Sequence, residues 1–192
     1  MAFKSGFCNQ YSTVRWVMAP GPLRKAVGFR YQEFSNLYQP VPLKGDPFQA
    51  GADNRVSDWT EMLILEGAQP LAYYDHPFFG KYPAITRNRF GEGTLTYEGS
   101  VLSQKLQEKV LLDVLKLAGL SGPDQQLPQP VRVKHGVNRK GSTIHFYLNY
   151  SSETQTFVYP YSAGQELLGQ TALARSQSII LKPWDLAVVE EK

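Results

Sequence analysis

The chain has 192 residues, of which 42% are hydrophobic and 12% aromatic, and its formal net charge is +3. This length and composition suffice for one large domain or two small ones with a real core. The weak, scattered positive charge argues against nucleic-acid binding, which needs a concentrated basic stripe. A single cysteine excludes an internal disulfide framework and a cysteine-based zinc site. Because the chain shows neither a signal peptide nor a transmembrane segment, we expect a soluble protein without a membrane partner and favour the cytoplasm.

The first 65 residues are predicted to contain short elements around one long loop. Residues 3–17 indicate interrupted β structure, and Pro22 and Gly28 bracket a helix of at most two turns. Residues 29–34 are predicted as a strand. Proline, glycine and Asx residues accumulate in residues 35–57, which predicts a loop there. Residues 59–65 end in Met-Leu-Ile-Leu, apolar on both faces, and are predicted as a central buried strand.

Residues 83–99 carry the clearest local pattern, that of a β-hairpin that follows a short strand at 71–74. Two β-rich arms, 84–90 and 94–98, flank the turn Gly91-Glu92-Gly93. A phosphate-binding glycine loop is the alternative interpretation of Gly-x-Gly. Such a loop needs a helix directly after it, and here a strand follows, so the pattern favours the hairpin.

After the hairpin the hydrophobic period changes to that of a helix. Ser103 is a suitable N-cap and Gly119 a suitable stop. The apolar face consists of Leu106, Val110, Val114 and Leu117. An isolated helix of this length is marginal in water. We therefore expect this face to pack on a sheet that contains residues 62–65 and the Leu95/Tyr97 side of the hairpin.

Residues 121–130, rich in proline and glutamine, are predicted to be a linker, and we place the domain boundary between residues 122 and 123. Beyond it the pattern is all β and typical of a sandwich. The predicted strands are 131–135, 142–150, 154–159, 166–168, 178–181 and 186–190. In the second of these, Ile144, Phe146 and Leu148 are expected to face the core and His145, Tyr147 and Asn149 to face outward. Trp184 is expected to be buried at the end of the sandwich.

The residue types that carry chemistry do not assemble into a catalytic pattern. The three histidines, His76, His135 and His145, lie in a loop and on separate strands, whereas catalytic zinc needs clustered ligands. Cys8 lacks the strained elbow of a nucleophile, so a buried or semi-buried structural thiol is the favoured interpretation. Nothing pairs two carboxylates as acid and base. The sequence therefore predicts no catalytic residue, no metal site and no cofactor site.

Several segments in the same order resemble the C-terminal part of a β-galactosidase of glycoside hydrolase family 42. They include Ser57-Asp58-Trp59-Thr60-Glu61, Leu65-Glu66-Gly67-Ala68 and the hairpin 83–93. The others are 3–6, 20–24, 28–30, 146–150, 167–169 and 181–189. Each is weak alone, and together they cover nearly the whole chain.

The resemblance implies a fold class of α/β plus all-β. Residues 1–122 would be a truncated class I glutamine amidotransferase-like (flavodoxin-like) domain that mediates trimer formation, and residues 123–192 a C-terminal antiparallel β-sandwich. The catalytic glutamates of the family lie on an N-terminal barrel that has no counterpart here. We therefore expect a scaffolding and oligomerisation role in a β-galactosidase, with the absent barrel as partner, a possible homotrimer, and no hydrolysis by this chain alone. The alternative is a free-standing carbohydrate-binding or protein-interaction module.

Overall fold

The computed structural model of the chain describes residues 1–192 and contains fifteen β-strands and two α-helices. All pairs between these strands are antiparallel, and parallel pairing is confined to an isolated bridge between Ala2 and Glu98. The chain is thus mostly β with few helices. A flavodoxin-like domain is built on a parallel sheet, so that part of the predicted fold class is not confirmed. The chain divides into two compact units, Met1–Gly119 (unit 1) and Leu120–Lys192 (unit 2).

Unit 1 contains two helices and three small sheets. The helices are α1 (Arg24–Val27) and α2 (Gln104–Leu117). The strands are β1 (Phe29–Arg30), β2 (Phe34–Pro42), β3 (Arg55–Glu61), β4 (Ile64–Leu65), β5 (Gln69–Tyr73), β6 (Pro83–Phe90), β7 (Gly93–Glu98) and β8 (Ser100–Leu102). They form sheets with the orders β1-β4, β2-β3-β8 and β5-β6-β7.

The hairpin prediction is confirmed by β6 and β7. The strands pair from Ile85 opposite Glu98 to Phe90 opposite Gly93, and Gly91 in the turn has a φ of 59°. The polar residues of the first arm connect the hairpin to both helices. Arg87 forms an ion pair with Asp113 of α2, and the Asn88 side chain donates a hydrogen bond of 2.9 Å to the carbonyl oxygen of Ala26 in α1.

Two strand predictions in unit 1 are wrong. The predicted loop 35–57 contains β2, an edge strand, where prolines are tolerated because one side of the strand needs no ladder partner. The register between β2 and β3 shifts between Leu37 and Val41, around Pro40. The predicted central strand 59–65 is divided between β3 and the two-residue β4, which pairs only with β1. The predicted strand contains an apolar run because Met62 and Leu63 are buried, although neither residue belongs to a strand.

The predicted helix is confirmed, but its packing differs from the expectation. The Ser103 side chain accepts a hydrogen bond from the Leu106 backbone, and Gly119 follows the helix with a φ of 69°. Leu106 and Val110 are buried in a cluster with residues of β3, β6 and β8, whereas Leu63 and Tyr97 belong to a separate cluster. Leu117 is exposed, and Asp113 pairs with Arg87, so the second half of the helix presents polar groups as well as apolar ones.

Unit 2 contains seven strands in two sheets around one core. The strands are β9 (Val131–Val137), β10 (Thr143–Asn149), β11 (Gln155–Val158), β12 (Gly164–Glu166), β13 (Thr171–Leu173), β14 (Ser178–Leu181) and β15 (Leu186–Glu191). One sheet has the order β13-β12-β15-β10-β9 and the other pairs β11 with β14. This arrangement fits the predicted β-sandwich. The sequence pattern missed β13, which is three residues long.

The predicted faces of β10 are inverted. His145, Tyr147 and Asn149 are buried, whereas Phe146 is 38% exposed. Two polar side chains of the inner face, His145 and Asn149, have hydrogen-bond partners, which is the usual condition for burying them, whereas the Tyr147 hydroxyl has none. The Asn149 amide, for example, donates hydrogen bonds of 2.8 Å to the backbone oxygens of Glu153 and Lys182. Inward-facing polar groups thus satisfy loop carbonyls that would otherwise lack a donor.

The predicted burial of Trp184 is also wrong, because its side chain is 69% exposed. Trp184 lies in the turn between β14 and β15 with a φ of 59°. The side chain of Asp185 organises this turn by accepting hydrogen bonds from the backbone of Lys182 and Leu186. The turn geometry directs the indole to solvent, and Leu181, Ala187 and Val189 close the core instead.

Candidate functional site

The structure brings together two of the three histidines and none of the other residues considered for chemistry. His135 and His145 are neighbours in unit 2, with 2.7 Å between their Nδ1 atoms. His76 lies in unit 1, where its Nδ1 atom accepts hydrogen bonds from the backbone of Phe78 and Phe79. Cys8 is free and exposed, so the expectation of a buried or semi-buried thiol is wrong. No group of three or more His, Cys, Asp or Glu side chains is arranged to hold a metal ion.

Glu61 is the carboxylate with the most unusual environment in unit 1. It lies at the end of β3 and is fully buried. Its oxygens accept hydrogen bonds of 2.7 Å from the Tyr97 hydroxyl and from the backbone N–H of Lys4. Burial raises the pKa of the Glu61 carboxyl, and these hydrogen bonds oppose that shift. Glu61 therefore anchors the N-terminal segment of the chain to the centre of unit 1.

We expect Glu61→Gln to change the pH dependence of the stability of unit 1. A carboxyl whose pKa is raised on folding binds more protons in the native state, so the free energy of unfolding falls as pH rises above about 4.5. Glutamine does not titrate, so the variant should gain stability relative to the wild type as the pH rises above about 4.5. Denaturant titrations at each pH measure this, with the exposed Glu92→Gln as control. Parallel profiles for Glu61→Gln and the wild type would contradict it.

Other charged residues are held at the surface of unit 1. The Glu66 carboxylate receives hydrogen bonds from the guanidinium groups of Arg24 and Arg30. These contacts, with Arg24 the larger contributor, lower the pKa of Glu66 to about 2. The arrangement links α1 to the turn after β4 and leaves no free carboxylate there. It is a structural ion pair and not half of an acid and base pair.

An exposed apolar surface is the feature of unit 1 best suited to binding. We call it the Trp16 surface, and it comprises Tyr11, Val14, Trp16, Val17 and Met18. The Trp16 side chain is 95% exposed and that of Tyr11 is 78% exposed. Single exposed apolar residues are common, but contiguous ones mark interaction sites. The pattern of residues 3–17 predicted only interrupted β structure and missed this surface, because exposure leaves no periodicity in so short a segment.

Backbone hydrogen bonds hold the segment that presents the Trp16 surface. The Arg15 N–H donates to the Phe7 carbonyl oxygen at 3.0 Å, and Cys8 and Val14 form an antiparallel bridge. At the far end, the Tyr31 N–H donates to the Ala19 carbonyl oxygen at 2.9 Å. Because the backbone is fixed at both ends, the exposed side chains are presented with little loss of chain entropy on binding.

A groove of about 430 Å³ runs beside this segment. Its walls include Trp16, Phe34 and Phe7, and Arg15 and Gln32 supply polar groups. The Phe34 ring stacks on Trp59 with 4.5 Å between centroids, and Phe7 meets Phe34 edge to face at 5.6 Å. The Trp16 surface is thus continuous with an ordered aromatic wall.

No helix of the chain has the length and the apolar character that crossing a membrane requires.

Two family models match this chain. Residues 1–121 match the β-galactosidase trimerisation domain, and residues 137–191 match the β-galactosidase C-terminal domain. Among curated relatives, β-galactosidase BgaP of Planococcus sp. (strain L4) is 27% identical over 176 residues, which is 90% of this chain and 26% of the relative. β-Galactosidase LacZ of Heyndrickxia coagulans is 26% identical over 98% of this chain and 27% of the relative. The chain thus spans about a quarter of the length of these relatives.

Solved structures show the same architecture. The β-galactosidase from Bacillus circulans sp. alkalophilus superposes with a TM-score of 0.85 and 22% identity, over 100% of this chain and 28% of that structure. The β-galactosidase from Rahnella sp. R3 superposes with a TM-score of 0.81 and 25% identity, over 100% of this chain and 28% of that structure. The antiparallel arrangement found here is therefore shared with part of larger β-galactosidases.

Proposed function

Because the chain belongs to the glycoside hydrolase family 42 β-galactosidases and corresponds to their trimerisation and C-terminal domains, we propose that it has a scaffolding and oligomerisation role. Its partners would be other copies of itself, in a trimer, and the catalytic barrel of a β-galactosidase. The hydrolysis of terminal β-galactosides would belong to that barrel. The domain assignment, 1–122 for assembly and 123–192 for the C-terminal sandwich, is part of this proposal. So is an amidotransferase-like origin of the first domain.

The Trp16 surface is the observation that supports this role most directly. Protein interfaces are enriched in tryptophan, tyrosine, methionine and arginine, and Tyr11, Arg15, Trp16 and Met18 lie close together in this segment. An almost fully exposed tryptophan on a held backbone has the character of an interface anchor, since such residues dominate binding energies. The occupant we propose is a second copy of this chain, in line with the trimerisation-domain match.

The second candidate function is carbohydrate binding at the groove beside Trp16. Aromatic walls next to polar side chains suit a sugar, whose faces are apolar and whose edges carry hydroxyl groups. Trp16 and Phe34 would supply the walls, and Arg15 and Gln32 the hydrogen-bonding groups. This function differs from scaffolding because it requires a small ligand and no second protein copy.

We expect the wild-type chain to self-associate and Trp16→Asp to weaken that association about 30-fold or more, as loss of an anchor worth 2 kcal/mol would. Folding should be unaffected, because the side chain is almost fully exposed. Sedimentation velocity over a concentration range measures the effect. Trp184→Asp is the matched control, since it removes an exposed tryptophan from unit 2.

Two outcomes would contradict the proposal. One is a strictly monomeric wild-type chain at high concentration, and the other is unchanged association of Trp16→Asp. Calorimetric titration with galactose and lactose distinguishes the second candidate function, carbohydrate binding, from scaffolding. Heat that disappears in Trp16→Asp would favour sugar binding over scaffolding.

A further inference from the structure

A row of polar side chains crosses one end of the large sheet of unit 2. His135 on β9 and His145 on β10 are paired directly across the two strands, and their Nδ1 atoms are 2.7 Å apart. His145 is 2% exposed, whereas the side chain of His135 is 39% exposed. A distance of 2.7 Å between two nitrogen atoms requires a proton between them, because two lone pairs at this separation repel.

A carboxylate lies at each outer end of the row. The Nε2 atom of His135 is 2.7 Å from Asp124 Oδ2, and the Nε2 atom of His145 is 2.6 Å from Glu191 Oε1. The Tyr161 hydroxyl donates to Asp124 Oδ1 at 2.7 Å, and its ring stacks on His145 with 4.1 Å between centroids. The row therefore connects the 3₁₀ turn Pro123–Gln126, the edge strand β9, its neighbour β10 and the C-terminal strand β15.

The hydrogen bonds determine how many protons the two rings hold. A carboxylate accepts, so both Nε2 atoms must carry hydrogen, and the contact between the Nδ1 atoms needs one more. The two rings thus hold three N–H protons, which is one imidazolium shared by the pair. With two protons, one of the three contacts has no hydrogen. With four protons, two N–H groups and two positive charges face each other.

The charged groups that face the rings favour positive charge on the histidine pair. Asp124 and Glu191 supply the negative charges, while Glu190, the neighbour on β15, is hydrogen-bonded to Asn138 instead. The tyrosines around the rings are Tyr147, Tyr159 and Tyr161. Burial is the main cause that raises the pKa of each of them, to about 12 for Tyr159, so they stay neutral at physiological pH.

We propose that the row Asp124–His135–His145–Glu191 is a pH-dependent clasp that holds the Pro123–Gln126 turn and the end of β15 on the sheet while the histidine pair carries one positive charge. In an unfolded chain the two histidines are independent, and each loses its positive charge as the pH rises through about 6.5. They carry two positive charges well below that pH and none well above it. The native pair carries one, so the free energy of unfolding falls in both directions.

The test measures the stability of unit 2 between pH 4.5 and 8.5 in the presence of EDTA, which removes adventitious metal. We expect a maximum near pH 6.5. The equilibrium constant for unfolding should rise on either side of that pH, by at most about tenfold per pH unit, which is the slope of a one-proton difference. His135→Gln removes the shared proton at a partly exposed position and should flatten the profile. His76→Gln, which changes a histidine of unit 1, should keep it.

NMR of the imidazole nitrogens in the wild-type chain tests the proton count without any substitution. The expected result at pH 6.5 is protonated Nε2 on both rings and one proton shared by the two Nδ1 atoms. Amide exchange should show the Leu127 N–H, which donates to the Asp124 carbonyl oxygen in this turn, losing protection at both ends of the pH range. Two neutral rings at pH 6.5, or parallel stability profiles for the wild type and His135→Gln, would overturn the proposal.

Discussion

Val110→Asp should abolish cooperative folding of unit 1. Val110 is 1% exposed and lies in the cluster that joins α2 to the sheets. Its neighbours in that cluster are apolar, so the new carboxylate would be buried among hydrophobic side chains. The effective cost of burying such an ion is several kcal/mol, and the whole stability of a domain is about 5–15 kcal/mol. Hydrogen exchange followed by mass spectrometry should show loss of protection across Met1–Gly119.

Leu111→Asp is the matched control, because Leu111 is the next residue of α2 and its side chain is 52% exposed. Aspartate is a weaker helix former than leucine, and this difference should cost less than about 1 kcal/mol. Protection of Met1–Gly119 should therefore persist in Leu111→Asp. A Val110→Asp variant that unfolds cooperatively at the same denaturant concentration as Leu111→Asp would refute the packing of α2 described here.

Local signals in the sequence predicted the elements that are determined by residues close together in the chain. The hairpin depended on a glycine turn between β-rich arms, and α2 on the Ser103 cap and a period of 3.6 residues. Both are confirmed because neighbouring residues determine them. The packing of α2 was predicted less well, since which of the possible sheets lies beneath a helix depends on contacts between distant segments.

The errors arose where long-range contacts override local preference. Proline argued against strand β2, which exists because β3 provides a partner on one side and the other side is an edge. Hydropathy placed the aliphatic face of β10 inward, but buried hydrogen-bond partners hold His145 and Asn149 inside. The histidine pair was missed for the same reason, because it depends on which segments meet in space.

Tyr147→Ala should be among the most destabilising single substitutions in unit 2. Its side chain is fully buried, and its ring lies 4.9 Å from Phe157 and 6.4 Å from Tyr159, measured between centroids. Truncation of a buried aromatic ring removes these contacts and leaves a cavity, which costs about 3–5 kcal/mol. Denaturant unfolding at neutral pH measures the loss as a lower midpoint with an unchanged slope.

Two variants control this last prediction and test the inverted faces of β10. Phe146→Ala changes the adjacent ring, which is 38% exposed, so its cost should be about 1 kcal/mol. Tyr147→Phe keeps the ring and removes a hydroxyl that is buried without a hydrogen-bond partner, so it should be neutral or stabilising. If Phe146→Ala destabilised unit 2 more than Tyr147→Ala does, the orientation of β10 would be the one that hydropathy predicts. The histidine pair would then face solvent, and the clasp could not form.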